Sequence, residues 1–296
     1  MATPSGYSPV LSSSDGSVEV KLDADHPGFA DPVYRARRNE IAALSVNHVP
    51  GEAIPTVEYT DSEHEVWRIV SKELAVKHER YACRAFLEAR EDLALPGDHI
   101  PQLGEVSARL RPLTGFRYEP VAGLAPLRAF YGAFAGRTFF STQYIRHHSV
   151  PLYTPEPDIV HEVIGHANQL ACPRFAEICE AVGSAVSRCE RPEALAFLSR
   201  VFWFTLEFGV VFEGNAPLAY GAGLLSSFGE LDAFQGAEIR PFDFAEMGTT
   251  EYDITHYQPV LYAADSFGRL VEDLMGFYSS FDDEEYARLV PSPAVA

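Results

Sequence analysis

The sequence predicts a mainly helical fold with a little β structure. Apolar residues at helical spacing follow helix-start signals along most of the chain, whereas the β-branched and aromatic stretches that favour strands are short. Residues 1–20 are rich in Ser, Pro and Gly and show no period, so we expect a disordered tail there. The chain has 296 residues, 47% of them hydrophobic, and no linker after residue 20. We therefore expect residues 21–296 to form a single domain with a sizeable core.

Capping residues mark the first helices. Asp31 precedes Pro32, a pair typical of an N-cap and the first helical turn. Residues 62–65 (SEHE) have the spacing of a capping box and predict the start of a long helix. The apolar side of this helical region includes Val66, Ile69, Val70, Leu74, Tyr81 and Leu87. Pro96 and Gly97 are expected to end it.

The later elements are shorter. The pattern predicts helices near residues 101–110 and 126–134, and a strand or extended segment over residues 138–145. Residues 158–210 predict two or three helices, with breaks at Pro173 and at Pro192. The last expected elements are a turn into a helix from Gly221, a short strand at 257–262 and a helix at 264–280.

Composition limits the classes of partner and the compartment. The formal net charge of −19 repels nucleic acid and anionic lipid, so we expect neither as a partner. The N-terminus shows no signal peptide, and no apolar run reaches the roughly 20 residues that span a bilayer. The four cysteines form no CxxC pair. We therefore expect a cytoplasmic protein.

The most informative motif is a histidine pair in residues 161–166 (HEVIGH). His161 and His166 are five residues apart, which is about 140° of rotation on an ideal α-helix. Zinc peptidases with a His-Glu-x-x-His motif use four-residue spacing to place both ligands on one face, so this spacing disfavours that class. The two rings converge only if the backbone bends, for which Gly165 is a candidate. By itself the pair is also compatible with two ordinary polar or core histidines.

A later carboxylate completes a possible metal site. Glu207 lies in an otherwise apolar run, and a buried carboxylate needs a metal, a cation or a proton. Two histidines and one carboxylate are the ligands of mononuclear non-haem iron(II) oxygenases. The alternative is an ion pair between Glu207 and an arginine such as Arg146 or Arg200. Trp203 is four residues before Glu207 and suggests an aromatic substrate, although core packing is the commoner role of such a tryptophan.

These segments, taken together, closely resemble the pterin-dependent aromatic amino acid hydroxylases, and among them the short bacterial phenylalanine hydroxylases. The resemblance extends from about residue 22 to residue 280. Its motifs are residues 22–38 (LDADHPGFADPVYRARR), 141–147 (STQYIRH), 153–158 (YTPEPD), 161–166 (HEVIGH), 203–209 (WFTLEFG) and 220–230 (YGAGLLSSFGE). It implies that residues 21–296 are the mainly helical catalytic domain of this family, and that the protein is a monomer.

The resemblance also implies roles for individual residues. Iron(II) would be held by His161, His166 and Glu207, and a tetrahydropterin such as tetrahydrobiopterin would react there with dioxygen. Arg146 would pair with the carboxylate of the amino-acid substrate. The rest of the amino-acid site would comprise Thr154, Trp203, Gly223, Ser226 and Glu230. The pterin site would comprise Val121, Leu124, Phe130 and Glu162, with Phe130 stacked on the pterin ring.

Two positions bear on the substrate. By the same resemblance, tryptophan hydroxylases have Phe at the position of Trp203. Tyrosine hydroxylases have Asp at the position of Ile254. An apolar Ile254 also leaves a phenol without a partner. The pair favours hydroxylation of L-phenylalanine at the para carbon. Hydroxylation of L-tryptophan, meta-hydroxylation of L-phenylalanine and, in another class, a zinc hydrolase that uses His161, Glu162 and His166 stay open.

Overall fold

The computed structural model describes residues 9–12 and 17–290 and confirms the mainly helical fold. The helices in this part of the chain are α1 (Pro32–Val46), α2 (Asp61–Tyr81), α3 (Arg84–Leu93), α4 (Leu103–Thr114), α5 (Leu127–Ala133), α6 (Asn168–Ala171), α7 (Pro173–Arg188), α8 (Pro192–Phe202), α9 (Ala222–Ser226), α10 (Glu230–Ala233), α11 (Phe244–Thr249), α12 (Phe267–Ser280) and α13 (Asp283–Leu289). Two π-helical turns, His161–Ala167 and Trp203–Glu207, adjoin α6 and α8. None of the described helices is both long and apolar enough to cross a membrane.

Eight short strands form three small sheets among the described residues. The strands are β1 (Val10–Ser12), β2 (Val18–Val20), β3 (Arg117–Pro120), β4 (Thr138–Ser141), β5 (Val210–Glu213), β6 (Ala216–Ala219), β7 (Glu238–Pro241) and β8 (Val260–Ala264). β1 pairs with β2 antiparallel, and β3 with β4 parallel. The third sheet has the order β6-β5-β8-β7, in which only the β5–β6 pair is antiparallel.

The core lies around α7, which packs against α5, α6 and α12. Its inward side is almost entirely apolar, and its largest buried residue is Phe175. The sequence predicts breaks at Pro173 and Pro192, and the structure has α7 and α8 begin at these residues, each with its proline in the first turn. The four cysteines, all within the described ranges, are buried and unpaired, which fits a role as small apolar side chains.

Two expectations about the N-terminal part are corrected by the structure. The capping box lies two residues earlier than predicted, because Thr60, not Ser62, caps α2. The Thr60 hydroxyl accepts from the Glu63 N–H, and the Glu63 carboxylate accepts from the Thr60 N–H. Both positions have the Ser/Thr-x-x-Glu pattern, but Glu63 also forms an ion pair with Arg37 on α1, which stabilises this helix start.

The tail predicted for residues 1–20 contains the hairpin of β1 and β2. Residues 1–8 and 13–16 lie outside the described residues. Val18 and Val20 alternate with Glu19, so both valines face one side and are buried against Ala42 of α1. This alternation is a strand signal that the abundance of Ser, Pro and Gly obscures.

Candidate active site

The histidine pair converges because its helix is locally a π-helix. Residues His161–Ala167 follow π geometry, in which hydrogen bonds run from residue i to i+5. Five-residue spacing therefore places His161 and His166 one above the other on the same face. Their Nε2 atoms are 3.1 Å apart. The expected backbone bend is thus a wider helical turn, and such turns are frequent at functional sites.

Gly165 has a different role from the expected one. A Cβ atom at this position would lie 2.6 Å from the carbonyl oxygen of Ala222, at the start of α9. The absence of a side chain lets α9 approach the π-helical turn, and α9 carries Ser226 beside His161. The glycine therefore serves close packing between two site elements, not backbone freedom.

Glu207 reaches the same point from the second π-helical turn. Its Oε1 lies 3.0 Å from Nε2 of His166, and its Oε2 lies 3.8 Å from Nε2 of His161. The alternative ion pairs are not formed, because Arg146 binds Asp158 and Arg200 binds Glu251. No described lysine or arginine side chain forms a salt bridge with Glu207.

The three donor atoms fit one face of an octahedral metal ion. Ligands at about 2.1 Å from a metal and at right angles to each other are about 3.0 Å apart. The Nε2 atoms of the two histidines are 3.1 Å apart, and Oε1 of Glu207 lies 3.0 Å from Nε2 of His166, both close to this value. The distance of 3.8 Å to His161 belongs to the other carboxylate oxygen, Oε2. Burial lowers the pKa of His161 to about 4, which keeps the imidazole neutral at pH 7. Burial raises the pKa of Glu207, but the nearby His166 lowers this pKa by more, so the pKa lies below its ordinary value. Neutral imidazoles and an ionised carboxylate are the states that bind a metal.

Ser226 fixes the orientation of His161. Its hydroxyl donates to the carbonyl oxygen of Ala222 at 2.8 Å and lies 2.9 Å from Nδ1 of His161. Since the single hydroxyl proton is used, the hydroxyl accepts from the imidazole, which places the proton of His161 on Nδ1. The lone pair on Nε2 is then free to bind a metal ion placed between this atom and the donor atoms of His166 and Glu207.

We expect Ser226→Ala to weaken metal binding by about 10- to 100-fold, because the orienting partner of His161 is lost. Competition titration with Co(II) or Fe(II) and a chromophoric chelator measures this change. Ser227→Ala is the matched control, since Ser227 lines the same cavity without contacting a metal ligand. Equal metal affinities of Ser226→Ala and the unchanged protein would show that Ser226 does not support metal binding through His161.

A cavity of about 550 Å³ opens on one side of the three donors. This volume suits a small-molecule ligand. Every residue predicted for the amino-acid site lines it: Arg146, Thr154, Trp203, Gly223, Ser226, Glu230 and Ile254. Gly223 also brings the backbone close to the triad, since a Cβ there would lie 3.0 Å from Oε2 of Glu207.

Arg146 is fixed in the cavity wall by a residue that sequence reasoning missed. Its Nε and Nη2 atoms donate to the two carboxylate oxygens of Asp158 at 2.9 and 2.8 Å, and the Asp158 side chain is fully buried. Burial raises the pKa of Asp158, but the Arg146 guanidinium lowers it more, and the net pKa lies below its ordinary value. The only sequence signal was the position of Asp158 directly after a rigid Pro-Glu-Pro segment.

Glu230 and Trp203 are joined by a second missed residue, Gln258. The Glu230 carboxylate accepts from the Gln258 backbone N–H at 2.7 Å, and the Gln258 side chain accepts from the Trp203 indole N–H at 3.1 Å. The Trp203 ring stacks on Tyr252 with their centroids 4.2 Å apart. No motif marks Gln258 in the sequence, and it could not be identified without the fold.

Glu230→Gln is expected to stabilise the fold at high pH only. Burial raises the pKa of Glu230 to about 7, above its ordinary value of 4.5. The folded protein therefore disfavours the ionised form of Glu230. The resulting loss in free energy of unfolding is absent below pH 4.5 and complete above about pH 7. Above pH 7 we expect the variant to gain on the order of 2–3 kcal/mol in free energy of unfolding, a gain that falls toward zero at pH 4.5.

Urea unfolding at a series of pH values tests this expectation, with the exposed Glu91→Gln as control. A pH-independent difference between Glu230→Gln and the unchanged protein would contradict it.

A second cavity, of about 180 Å³, lies on the other side of the triad. All four residues predicted for the pterin site line it: Val121, Leu124, Phe130 and Glu162. Burial raises the pKa of Glu162 well above its ordinary value. The missed residues in its wall include Arg38 and Tyr144, where the guanidinium carbon of Arg38 lies 3.3 Å from the centroid of the Tyr144 ring. The nonpolar wall around Phe130 suits a flat ring.

The triad sits where the two cavities meet. The residues that line both are Glu156, Pro157, His161, Trp203, Glu207 and Ile254. Two ligands that enter from opposite sides would therefore meet at the donor atoms.

Glu162 also lies close to the two site histidines, since His161, Glu162 and His166 each offer a ligand atom within 4.8 Å of the others. A separate group of possible metal ligands comprises Asp31, His147 and His148. Asp31 caps α1 through one carboxylate oxygen, and the other lies 3.2 Å from Nε2 of His147. The Ser149 N–H donates to Nδ1 of His147, so the proton of His147 is on Nε2 and faces Asp31. Both ring nitrogens of His147 therefore have partners within the protein, Ser149 and Asp31. We assign this group a structural role at the start of α1.

Comparison with known proteins agrees with the geometry. The family model of biopterin-dependent aromatic amino acid hydroxylases matches residues 12–289. Phenylalanine 3-hydroxylase of Streptomyces coeruleorubidus is 46% identical over 269 residues, which cover 91% of this chain and 96% of that protein. Phenylalanine-4-hydroxylase of Bos taurus is 43% identical over 267 residues, and the match spans 88% of this chain and only 59% of the bovine protein.

A solved structure shares the fold. Phenylalanine hydroxylase of Chromobacterium violaceum, with bound iron(III) and the oxidised cofactor 7,8-dihydrobiopterin, superposes with a TM-score of 0.70 at 30% identity. The superposition covers 74% of this chain and 81% of that one.

Proposed function

The chain belongs to the biopterin-dependent aromatic amino acid hydroxylases, and from that premise we propose that it hydroxylates L-phenylalanine at the para carbon to give L-tyrosine. The reaction would consume dioxygen and a tetrahydropterin at iron(II). The observation that carries the proposal is the position of the triad between two cavities, one lined by the predicted amino-acid residues and the other by the predicted pterin residues.

His161, His166 and Glu207 would hold the iron, and their donor set and spacing fit the group. Iron(II) with a tetrahydropterin supplies the activation of dioxygen needed to oxidise an aromatic ring. The protein has to hold both organic ligands at the metal and keep bulk water out. In the Chromobacterium violaceum enzyme the bound groups are iron(III) and dihydrobiopterin, which supports this assignment.

Arg146 would bind the amino-acid carboxylate. Asp158 holds its guanidinium in the cavity wall, so the cation is oriented before the substrate arrives. Trp203 and Ile254 provide apolar surface between this cation and the triad, where a phenyl ring fits without needing a polar partner. On the other side Phe130 would stack on the pterin, and Glu162 would hydrogen-bond it.

A second candidate function is hydroxylation of L-phenylalanine at the meta carbon. The observation that favours it is the 46% identity to a phenylalanine 3-hydroxylase over 96% of that protein. The matches to 4-hydroxylases are only slightly less similar, at 43% for the bovine enzyme. Both products come from the same machinery and differ in where the ring lies relative to the metal.

Product analysis tests the proposal. The iron-loaded enzyme is incubated with tetrahydrobiopterin, air and either L-phenylalanine, L-tryptophan or L-tyrosine, and the products are separated with ortho-, meta- and para-tyrosine standards. We expect para-tyrosine from L-phenylalanine and little turnover of the other two. Mainly meta-tyrosine would establish the second candidate, and turnover of tryptophan without turnover of phenylalanine would contradict both.

We also propose that the protein acts as a monomer in the cytoplasm. Size-exclusion chromatography with light scattering measures the first point, and a mass near twice the 32.7 kDa of one chain would contradict it.

A further inference from the structure

Gln258 uses its whole side-chain amide inside the protein. Only 5% of this residue is exposed. Its Nε2 atom donates to the carbonyl oxygens of Asp253 and His256, both at 3.0 Å, and its Oε1 atom accepts from Nε1 of Trp203 at 3.1 Å. Two carbonyl oxygens require a donor and the indole N–H requires an acceptor, so the orientation of the amide is determined by its partners.

The two carbonyls that Gln258 binds are the ends of the turn that carries Ile254. Inside the turn, the Asp253 carboxylate accepts from the backbone N–H of Thr255 at 2.8 Å, which sets the local shape. The turn is otherwise exposed, and Gln258 is the buried anchor that holds both of its ends. Ile254 points from this turn into both cavities.

The third partner, Trp203, is held by stacking on one side and by Gln258 at its edge. Tyr252 lies parallel to the indole at 9°, and the Phe208 ring also contacts it with centroids 4.5 Å apart, but apolar contacts of this kind leave the ring some freedom of orientation. The hydrogen bond from Nε1 to Gln258 removes that freedom. The backbone N–H of Gln258 in turn donates to Glu230, which also lines the amino-acid cavity.

We propose that Gln258 is a positioning residue that fixes Trp203 and Ile254 relative to each other and thereby orients the ring of the amino-acid substrate at the triad. The inference rests on the proposed function and extends it. Gln258 does not line either cavity, so it acts through the residues that it holds. Its loss should affect substrate binding and the accuracy of hydroxylation more than pterin binding.

The test compares Gln258→Met, which removes all side-chain hydrogen bonds at nearly the same length, with Gln258→Glu. The glutamate retains an acceptor for Trp203 but turns oxygen toward the carbonyls of Asp253 and His256. Gln235→Met is the matched control, since Gln235 is exposed and binds only Pro217 among its described side-chain contacts. For Gln258→Met we expect KM for L-phenylalanine to rise about tenfold. KM for the pterin should rise less, because Trp203 and Ile254 form only part of the wall of the second cavity.

Two further readouts separate positioning from stability. The first is coupling, the amount of hydroxylated product per pterin oxidised, together with the ratio of para- to meta-tyrosine. We expect both to change in Gln258→Met and Gln258→Glu and to stay constant in Gln235→Met. Unchanged KM, coupling and product ratio in either folded Gln258 variant would overturn the proposal.

The second readout needs neither cofactor nor turnover. Trp203 and Trp67 are the two tryptophans, so subtracting the spectrum of the matching Trp203→Phe protein isolates the emission of Trp203. We expect this emission to shift in Gln258→Met and to shift less in Gln258→Glu, which retains the acceptor. Identical emission in Gln258→Met and the unchanged protein would also overturn the proposal. If the unchanged protein gives no hydroxylated product, the proposed function fails, and the emission still decides whether Gln258 holds Trp203.

Discussion

Glu207→Ala is expected to abolish tight iron binding and, with it, oxygen-dependent turnover. The carboxylate is the one anionic member of the triad, and its oxygens lie 3.0 and 3.8 Å from the two imidazole nitrogens. Loss of a partner that merely orients a ligand costs about 10- to 100-fold in metal affinity, so loss of the ligand itself should cost more than about 100-fold. Metal content after anaerobic loading with Fe(II), followed by desalting, measures the effect.

The matched control is Glu162→Gln. Glu162 is another buried carboxylate close to both histidines, but the proposed iron site does not include it. The Glu162→Gln variant should retain iron, while its KM for the pterin changes. The two variants also distinguish two enzyme classes. A zinc hydrolase that uses His161, Glu162 and His166 would lose activity in Glu162→Gln. It would still bind its metal in Glu207→Ala. Iron binding that is unchanged in Glu207→Ala would show that the triad is wrongly assigned.

The second large effect is expected at Arg146, which has a structural role in the pair with Asp158 and a proposed role in substrate binding. Arg146→Met leaves the fully buried carboxylate of Asp158 without its cation, which costs about 3–5 kcal/mol in free energy of unfolding. It also removes the proposed partner of the substrate carboxylate. Urea unfolding and calorimetric titration with L-phenylalanine measure the two losses separately.

The double variant Arg146→Met/Asp158→Asn distinguishes the roles. It removes both charges, so most of the stability should return while the affinity for L-phenylalanine stays low. The pKa of Asp158 in the folded protein lies below its ordinary value of 3.8, so the contribution of the pair is present above that pH and is lost as the pH falls further. Recovery of substrate affinity together with stability would show that Arg146 has only a structural role.

Helical periodicity and capping signals predicted the fold class. The family resemblance supplied the residues that line the two cavities, and their proposed roles in binding stay predictions. Asp31 caps α1 as its position before Pro32 predicts, and the breaks predicted at Pro173 and Pro192 are where α7 and α8 begin. The choice between Thr60 and Ser62 as cap depended on Arg37, which belongs to another helix. Competing local signals of equal strength are decided by such tertiary contacts.

The geometry of the triad could not be predicted from helical periodicity. A helical pattern assumes 3.6 residues per turn, and with that period His161 and His166 diverge. The π-helical turn has a longer period, and its stability depends on neighbours such as α9, which approaches closely over Gly165. Five-residue spacing of two histidines is a usable signal for such a turn once the possibility is considered.

Asp158 and Gln258 were missed for a related reason. Each acts on a residue that the motifs identify, Arg146 and Trp203 respectively, through hydrogen bonds that depend on the fold. An aspartate or glutamine with such a role has no characteristic spacing in the sequence. Partners of this kind become visible only when the side chains are in place.

We propose that iron(II) held by His161, His166 and Glu207 between the two cavities would support insertion of an oxygen atom from dioxygen into an aromatic amino acid. The most direct measurement is the mass of the product formed from L-phenylalanine under ¹⁸O₂, with the Fe(II)-loaded enzyme and tetrahydrobiopterin. We expect tyrosine that is two mass units heavier than the unlabelled amino acid, and no product when the pterin or the oxygen is omitted or when zinc replaces iron. An unlabelled product, or activity of the zinc-loaded enzyme without oxygen and pterin, would contradict it.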